Sequence, residues 1–199
     1  MRNYEVWISK VIPGLIVFGL WLDGWFFPLI LLPIFYVLLV EKKSLEWLGF
    51  SRHGLRYSII MGLLILLVLS GVYYPIFLHY PGYVSKQGTI DIYVILLDLV
   101  WYPLYEEITY RSFALTHFAE LDKSSLSTKN LIANISQSFL FVSIHKQHFG
   151  APPLLVLVFL LGFLNGFLFL KTRNAYGCIV SHSTLNGFAL LLRFVQSIT

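Results

Sequence analysis

Apolar residues run along this chain in long blocks, and the short gaps between them hold most of its lysines and arginines. The first block, residues 11–40, is broken only by Asp23-Gly24 and by Pro13, Pro28 and Pro33. It is longer than the roughly 20 residues of one membrane helix. The pattern therefore predicts two helices around a tight turn at Asp23-Gly24, the first beginning near Tyr4. No small-residue cleavage site follows, so the first run reads as a retained helix rather than a signal peptide. Residues 41–56 form a polar connection in which Leu45, Trp47, Leu48 and Phe50 are spaced to dip into an interface as a short amphipathic element. A third span is predicted over 57–78 and a turn over 79–88. The fourth span begins near Thr89, followed by a polar loop over 121–130. A fifth helix covers 131–149, a sixth 154–170, and a seventh runs from about Cys178 to Val195. No run alternates polar and apolar residues as a membrane barrel strand does. The expectation is an all-α, polytopic transmembrane bundle of about seven spans, one integral membrane domain over 1–199. Within it, 1–56 supplies the N-terminal helices and amphipathic loop, and 89–195 supplies the helices that carry the motifs below.

Composition agrees with this solvent. At 57% hydrophobic and 12% charged, a chain this short has too few polar side chains to cover a water-soluble surface. The single cysteine, Cys178, excludes an intramolecular disulfide and reads as a small packing residue. The net charge of +4 does not point to nucleic acid, because the basic residues sit in the gaps, where they set topology and attract anionic headgroups. With the N-terminus inside, Arg2, Lys10, Lys42, Lys43, Arg52, Arg56, Lys123, Lys129, Lys171 and Arg173 are cytoplasmic, against Lys86, Lys146 and Arg193 on the other side. That bias predicts a cytoplasmic N-terminus in an integral membrane protein, expected in a bacterial plasma membrane.

Charge inside the apolar blocks changes the picture. Residues 101–118 hold Glu106, Glu107 and Arg111, and a charged side chain at mid-membrane costs about 2.5 to 3.5 kcal/mol even on the lenient insertion scale. In a helix Glu107 and Arg111 share a face in the favourable order, and Glu106 points about 100° away on the stripe of Tyr110. The structural alternative is an ion pair that ties helices together. Two later helices add polar groups at helical spacing: Phe141 and His145 four apart, and His182 and Asn186 four apart. A lone intramembrane histidine is commonly a hydrogen-bonded packing residue, but these groups recur on three separate apolar helices.

EEITYR at Glu106 to Arg111, FVSIH at Phe141 to His145 and HSTLN at His182 to Asn186 carry a resemblance. In order and spacing they are similar to the EExxxR, FxxxH and HxxxN motifs of the CPBP family of CAAX proteases and bacteriocin-processing enzymes, also called Abi. The glycine-containing lead-in FLLGFLNGFLFLKTRNAYGCIVSH is similar as well. The resemblance covers about residues 101–191. It implies an intramembrane endopeptidase acting on a peptide or protein substrate, lipidated or not. One departure is Ser112, where such proteins commonly carry glycine.

The chemistry can also be argued from the residues. Peptide hydrolysis within a membrane requires a water, a base and donors for the oxyanion. Glu106, desolvated, is the natural base, with His145 positioning the water or sharing its proton. His182 and Asn186 can offer N–H groups to the oxyanion, and Arg111 would hold Glu107 and so fix the helix presenting Glu106. Zinc is the nearest rival, with Glu106, His145 and His182 as ligands and one position open for water. The absence of an HExxH sequence favours no metal and no other cofactor, and His148 reads as an interfacial residue. The competing class is a non-enzymatic membrane protein, an immunity or partner-binding subunit that keeps the cluster for structure. Two geometric expectations follow. The motif residues should line one cavity open to the cytoplasm, with a lateral gap for the apolar part of a substrate. The predicted topology also sets His145 near the outer end of its helix and His182 near the inner end of its own, although they have to meet.

Overall fold

The computed structural model describes residues 3–22, 31–80, 91–121 and 123–198. The predicted turn at Asp23-Gly24 and nearly all of the turn at 79–88 lie outside the described residues. Seven helical rods follow one another in the described chain. They are α1 (Asn3–Leu22), α2 (Leu31–Phe35, continued by a π-helical turn Tyr36–Val40), α3 (Leu55–His79), α4, α5 (Thr128–Ile144), α6 (Pro152–Thr172) and α7 (Tyr176–Ile198). Rod α4 is composite, joining α-helix Ile92–Leu96, π-helix Leu97–Trp101, α-helix Tyr102–Glu106, π-helix Glu107–Leu115 and α-helix Thr116–Phe118. Its junction residues Leu97, Trp101, Glu107 and Thr116 all have right-handed helical backbone angles, so the rod changes pitch without breaking. No strand occurs among the described residues.

The predicted connection over 41–56 contains the short amphipathic element as a 3-10 turn, Leu45–Leu48, with Leu48 buried. Helix α5 ends earlier than predicted. Residues 146–149 leave it because the backbone turns out of the helix at His145 (φ −86°, ψ 49°), whose ring nitrogen Nδ1 occupies the Phe141 carbonyl at 2.8 Å. The ring thus takes the acceptor that a continuing helix would give to the His145 backbone N–H.

Among the described residues three helices are long and apolar enough to cross a membrane, Leu55–His79, Pro152–Thr172 and Tyr176–Ile198, rather than the roughly seven spans predicted. The remaining rods fall short for physical reasons. Ser9–Trp21 and Leu31–Val40 are apolar but short. Rod α4 carries four charged groups, Asp98, Glu106, Glu107 and Arg111. Helix α5 carries Asn130, Asn134, Gln137 and Ser138 on its buried face. Rod α4 compensates by hiding from lipid, since every residue from Glu106 to Thr116 is buried in protein. Elsewhere the exterior is strongly apolar, with Leu39 71%, Leu67 70% and Phe139 62% exposed. Apolar surface on that scale marks an integral membrane protein.

Contacts fix the directions of the rods. Helices α3 and α7 run parallel, with Ser58 and Gly62 against Gly177 at one end and Tyr73 against Phe188 further on. A Cβ on Gly62 would fall 2.2 Å from the Gly177 carbonyl oxygen, so the two backbones touch where only glycine fits. Rod α4 runs against both α1 and α7: Lys10 Nζ reaches the His117 carbonyl, Tyr105 Oη donates to the Leu20 carbonyl at 2.8 Å, and Leu99 lies at Gly187. Helices α5 and α6 are antiparallel and joined by amides. Asn134 Nδ2 donates to the Phe163 carbonyl at 3.0 Å, and Gln137 Nε2 donates to the Gly162 carbonyl at 3.0 Å and to Asn134 Oδ1 at 2.8 Å. One end of the bundle therefore gathers the starts of α1, α3, α5 and α7, and the other their far ends.

The α6–α7 turn is sunk into the protein and covered by the 41–56 connection. Ala175 N–H donates to the Gly49 carbonyl at 2.9 Å, and Asn174 Nδ2 donates to the Ser51 and His53 carbonyls at 2.7 and 3.0 Å. Both Asn174 and Ala175 are fully buried. Helix α7 accordingly starts against the 41–56 connection. His182, in the second turn of α7, and His145, at the end of α5, do meet, lying 3.5 and 4.0 Å from the same Glu106 oxygen.

Candidate active site

The three motifs meet between α4, α5, α6 and α7. Glu107 and Arg111 are both fully buried and paired, Nε to Oε2 3.2 Å, and Arg111 stacks its guanidinium 4.0 Å from the centre of the Phe141 ring. This is the pair expected four residues apart, kept although the backbone between them is π-helical. Phe141 also packs its ring against Tyr110, His145 and His182, with centroid separations of 5.7, 4.6 and 5.8 Å. Ser112, the departure from the resembling motif, is fully buried as glycine would be.

Glu107 does more than hold Arg111. Its Oε1 lies 2.8 Å from His182 Nδ1. A carboxylate only accepts, so Nδ1 carries the proton and Nε2 is turned the other way. There it faces Glu106 Oε2 at 3.5 Å. His145 is set in the same manner, Nδ1 donating to the Phe141 carbonyl and Nε2 lying 4.0 Å from the same Glu106 oxygen. Two ring nitrogens thus converge on one carboxylate oxygen, and Glu106 Oε2 receives no hydrogen bond from the described residues.

Asn186 is held by α4. In the π-helical turn Tyr102 N–H bonds the Leu97 carbonyl, and Pro103, next in line, has no N–H to give. The Asp98 carbonyl is left facing α7, and Asn186 Nδ2 donates to it at 2.9 Å. The backbone of Asp98 is thus a partner of the third motif.

Sequence reasoning passes over one further residue. Asn165, fully buried on α6, donates from Nδ2 to Glu107 Oε1 at 3.3 Å and to the Cys178 carbonyl at 3.1 Å, and its Oδ1 accepts from Ser181 Oγ at 2.6 Å. An asparagine in the apolar lead-in to the last motif was the available signal. The cysteine is a buried packing residue as expected, its Sγ 3.2 Å from the Asn165 carbonyl.

Glu106, His145, His182 and Asn186 all line one cavity of about 600 Å³, with Leu154, Leu157 and Leu161 among its apolar walls. Lys146, Gln147 and Arg193 line it, and they belong to the end opposite the lysine-rich connections. Counting turns along α4 alone could not reveal this, because most of the walls come from the other helices.

A tetrahedral zinc spaces its donors about 3.4 Å apart. The Glu106–His182 separation of 3.5 Å suits that, but the 4.0 Å to His145 is wide. Among the described residues no three His, Cys, Asp or Glu side chains are arranged to hold a metal ion.

Comparison with known proteins agrees with the motif geometry. Residues 88–188 match the family model described as Type II CAAX prenyl endopeptidase Rce1-like. No curated protein and no solved structure gives a match. The matched stretch is just over half of the 199 residues and contains all three motifs. With its apolar exterior and buried polar centre, the chain belongs to the Rce1-like family of type II CAAX prenyl endopeptidases.

Proposed function

We propose that this protein is an intramembrane endopeptidase that hydrolyses a peptide bond through a water activated by Glu106, with no metal in the step. The observation that carries the reading is the convergence of the His145 and His182 Nε2 lone pairs on Glu106 Oε2. A gap of 4.0 Å is too long for a direct hydrogen bond and suits one bridging water. Such a water donates one hydrogen to Glu106 and one to His145, which leaves its oxygen lone pair for the scissile carbonyl. Glu106 takes a proton as the oxygen–carbon bond forms. Glu106 passes that proton to His182 Nε2, 3.5 Å away, which with the Asn186 amide meets the oxyanion while Glu107 across the ring balances the charge. The proton then passes to the leaving nitrogen, the carbon–nitrogen bond breaks, and a carboxylate and an amine result. Arg111, Phe141 and Asn165 position Glu107 and touch no reacting atom. The seven rods are read as one domain, with α1, α2, α4 and α5 completing the passage through the bilayer in contact with protein on their polar faces.

The second reading, an immunity or partner-binding subunit, draws on the same network, since Glu107, Arg111, His182 and Asn165 also tie three helices together. Replacing Glu106 with Gln separates the two. Detergent-purified protein is incubated with lipidated and unlipidated peptides, and products are read by mass spectrometry. Under the peptidase reading Glu106→Gln stays folded and loses cleavage by about 10²- to 10⁴-fold, the usual worth of a general base. Equal cleavage by wild type and variant would refute it.

A further inference from the structure

A second pocket lies where α3 begins, at the end of the bundle that also holds the α6–α7 turn. It is open to the surface and lined by Arg52, Gly54, Leu55, Arg56, Tyr57 and Ile60. Both arginines are exposed, and among the described residues neither guanidinium has a hydrogen-bond or ion-pair partner. Other cations of that end are engaged: Lys10 reaches the His117 carbonyl, Lys43 pairs with Glu41, and Lys129 pairs with Glu120. Among the described residues no acid lines the pocket.

The level of the pocket in the membrane follows from α3. Leu55–His79 is long and apolar enough to cross, so its first turn stands at the headgroup layer. Tyr57, Ile60, Leu64 and Leu67 then recur at helical spacing along one face, and all four are exposed. Two unpaired arginines are thus continuous with a strip of surface that meets hydrocarbon. A guanidinium presents forked N–H groups that match the oxygens of a phosphate.

The pocket also selects the charge of its occupant. A zwitterionic headgroup brings an ammonium, which would find no carboxylate there. The Tyr57 ring could take an ammonium by a cation–π contact, but Lys171 Nζ already stands 5.6 Å from its centre. Arg52, Arg56 and Lys171 therefore gather at one tyrosine with no negative group among them.

We propose that this pocket binds one anionic phospholipid, its phosphate held between Arg52 and Arg56 and an acyl chain laid along Ile60, Leu64 and Leu67. The site is separate from the Glu106 cavity and does not rest on the peptidase reading.

The test is native mass spectrometry of the full chain in a neutral detergent, titrated with phosphatidylglycerol and, separately, with phosphatidylcholine. The first bound lipid is expected to be phosphatidylglycerol by preference. Each arginine beside an anionic headgroup is expected to contribute about 5-fold, so Arg52→Gln/Arg56→Gln weakens that binding about 30-fold. Lys42→Gln/Lys123→Gln removes the same charge from the same end outside the pocket, and is expected to cost about 2-fold or less because exposed distant charges are screened. Buried Cys178, next to the Gly177 that touches Ser58 of α3, should stay unreactive to a thiol dye in every variant. If it reacts in the double arginine variant, Arg52→Gln alone, outside the helix, carries the test with a loss of about 5-fold. Equal weakening by the two double variants would overturn the proposal in favour of diffuse charge attraction. Equal binding of phosphatidylcholine would overturn it as well. So would displacement of the lipid by equimolar inorganic phosphate, which would make this a site for the free anion.

Discussion

Asn165 offers the sharpest test of the buried network. Its side chain makes three hydrogen bonds within the protein, to Glu107, to the Cys178 carbonyl and from Ser181. On the scale of water-soluble proteins, one bond to a charged group and two neutral ones total about 4 kcal/mol. In a membrane the average interhelical bond contributes only about 0.6 kcal/mol, because the unfolded reference state also finds partners, so three total about 2 kcal/mol. The membrane scale applies here, and Asn165→Ala is expected to destabilise by about 2 kcal/mol, roughly a 30-fold shift in the folded-to-unfolded ratio. Cys178 supplies the assay, being the only cysteine in the sequence, fully buried, and a neighbour of the substituted side chain. Its rate of reaction with a thiol-reactive dye under graded denaturant reports opening directly. Asn165→Asp puts a second carboxylate about 3.3 Å from Glu107 Oε1, a repulsion of up to about 5 kcal/mol at an effective dielectric of 20. The expected order of Cys178 protection is therefore wild type, then Asn165→Ala, then Asn165→Asp. Unchanged protection in both variants would refute the assignment of Asn165 as the residue that positions Glu107.

Three other outcomes are expected. Peptide cleavage should survive exhaustive chelation, and activity that vanishes and returns only with added zinc would reverse the metal-free step. Arg111→Lys keeps the charge but loses the planar stacking on Phe141, so a fall in kcat with little change in KM is expected, and wild-type kinetics would count against a positioning role. Gly177→Val, whose Cβ would lie 2.1 Å from the Ser58 carbonyl oxygen, forces α3 and α7 apart, and loss of folded protein in a thermal assay checks it.

The apolar blocks announced the helices because lipid demands long uninterrupted runs, and α3, α6 and α7 match their predicted ranges within a few residues. The motif residues were legible for the complementary reason, since Glu106, Glu107, Arg111 and the two histidines stand out against hydrocarbon. What was not legible depends on helices meeting. Asn186 reads as a free donor until the missing N–H of Pro103 is set beside the Asp98 carbonyl. Asn165 reads as a stray polar group until α6 is laid against Glu107. The cavity's walls could not be read from α4, because most of them come from the other helices. The end of α5 at His145 was missed because a side chain, rather than a glycine or proline, takes over the last carbonyl.

The buried α6–α7 turn gives the 41–56 connection an unusual status. Surface connections ordinarily tolerate insertion, since little depends on their length. Here the carbonyls of Gly49, Ser51 and His53 hold Asn174 and Ala175, and those residues set how deep α7 begins. His182 lies on α7, so the depth of its Nε2 relative to Glu106 is gauged by a stretch on the opposite side of the bundle. Lengthening that stretch would act as a vertical misalignment, lifting one half of the polar centre past the other while leaving every motif residue in place. Whatever grips the connection at the headgroup level, an anionic lipid among the candidates, would hold a handle on the register of a site it never touches.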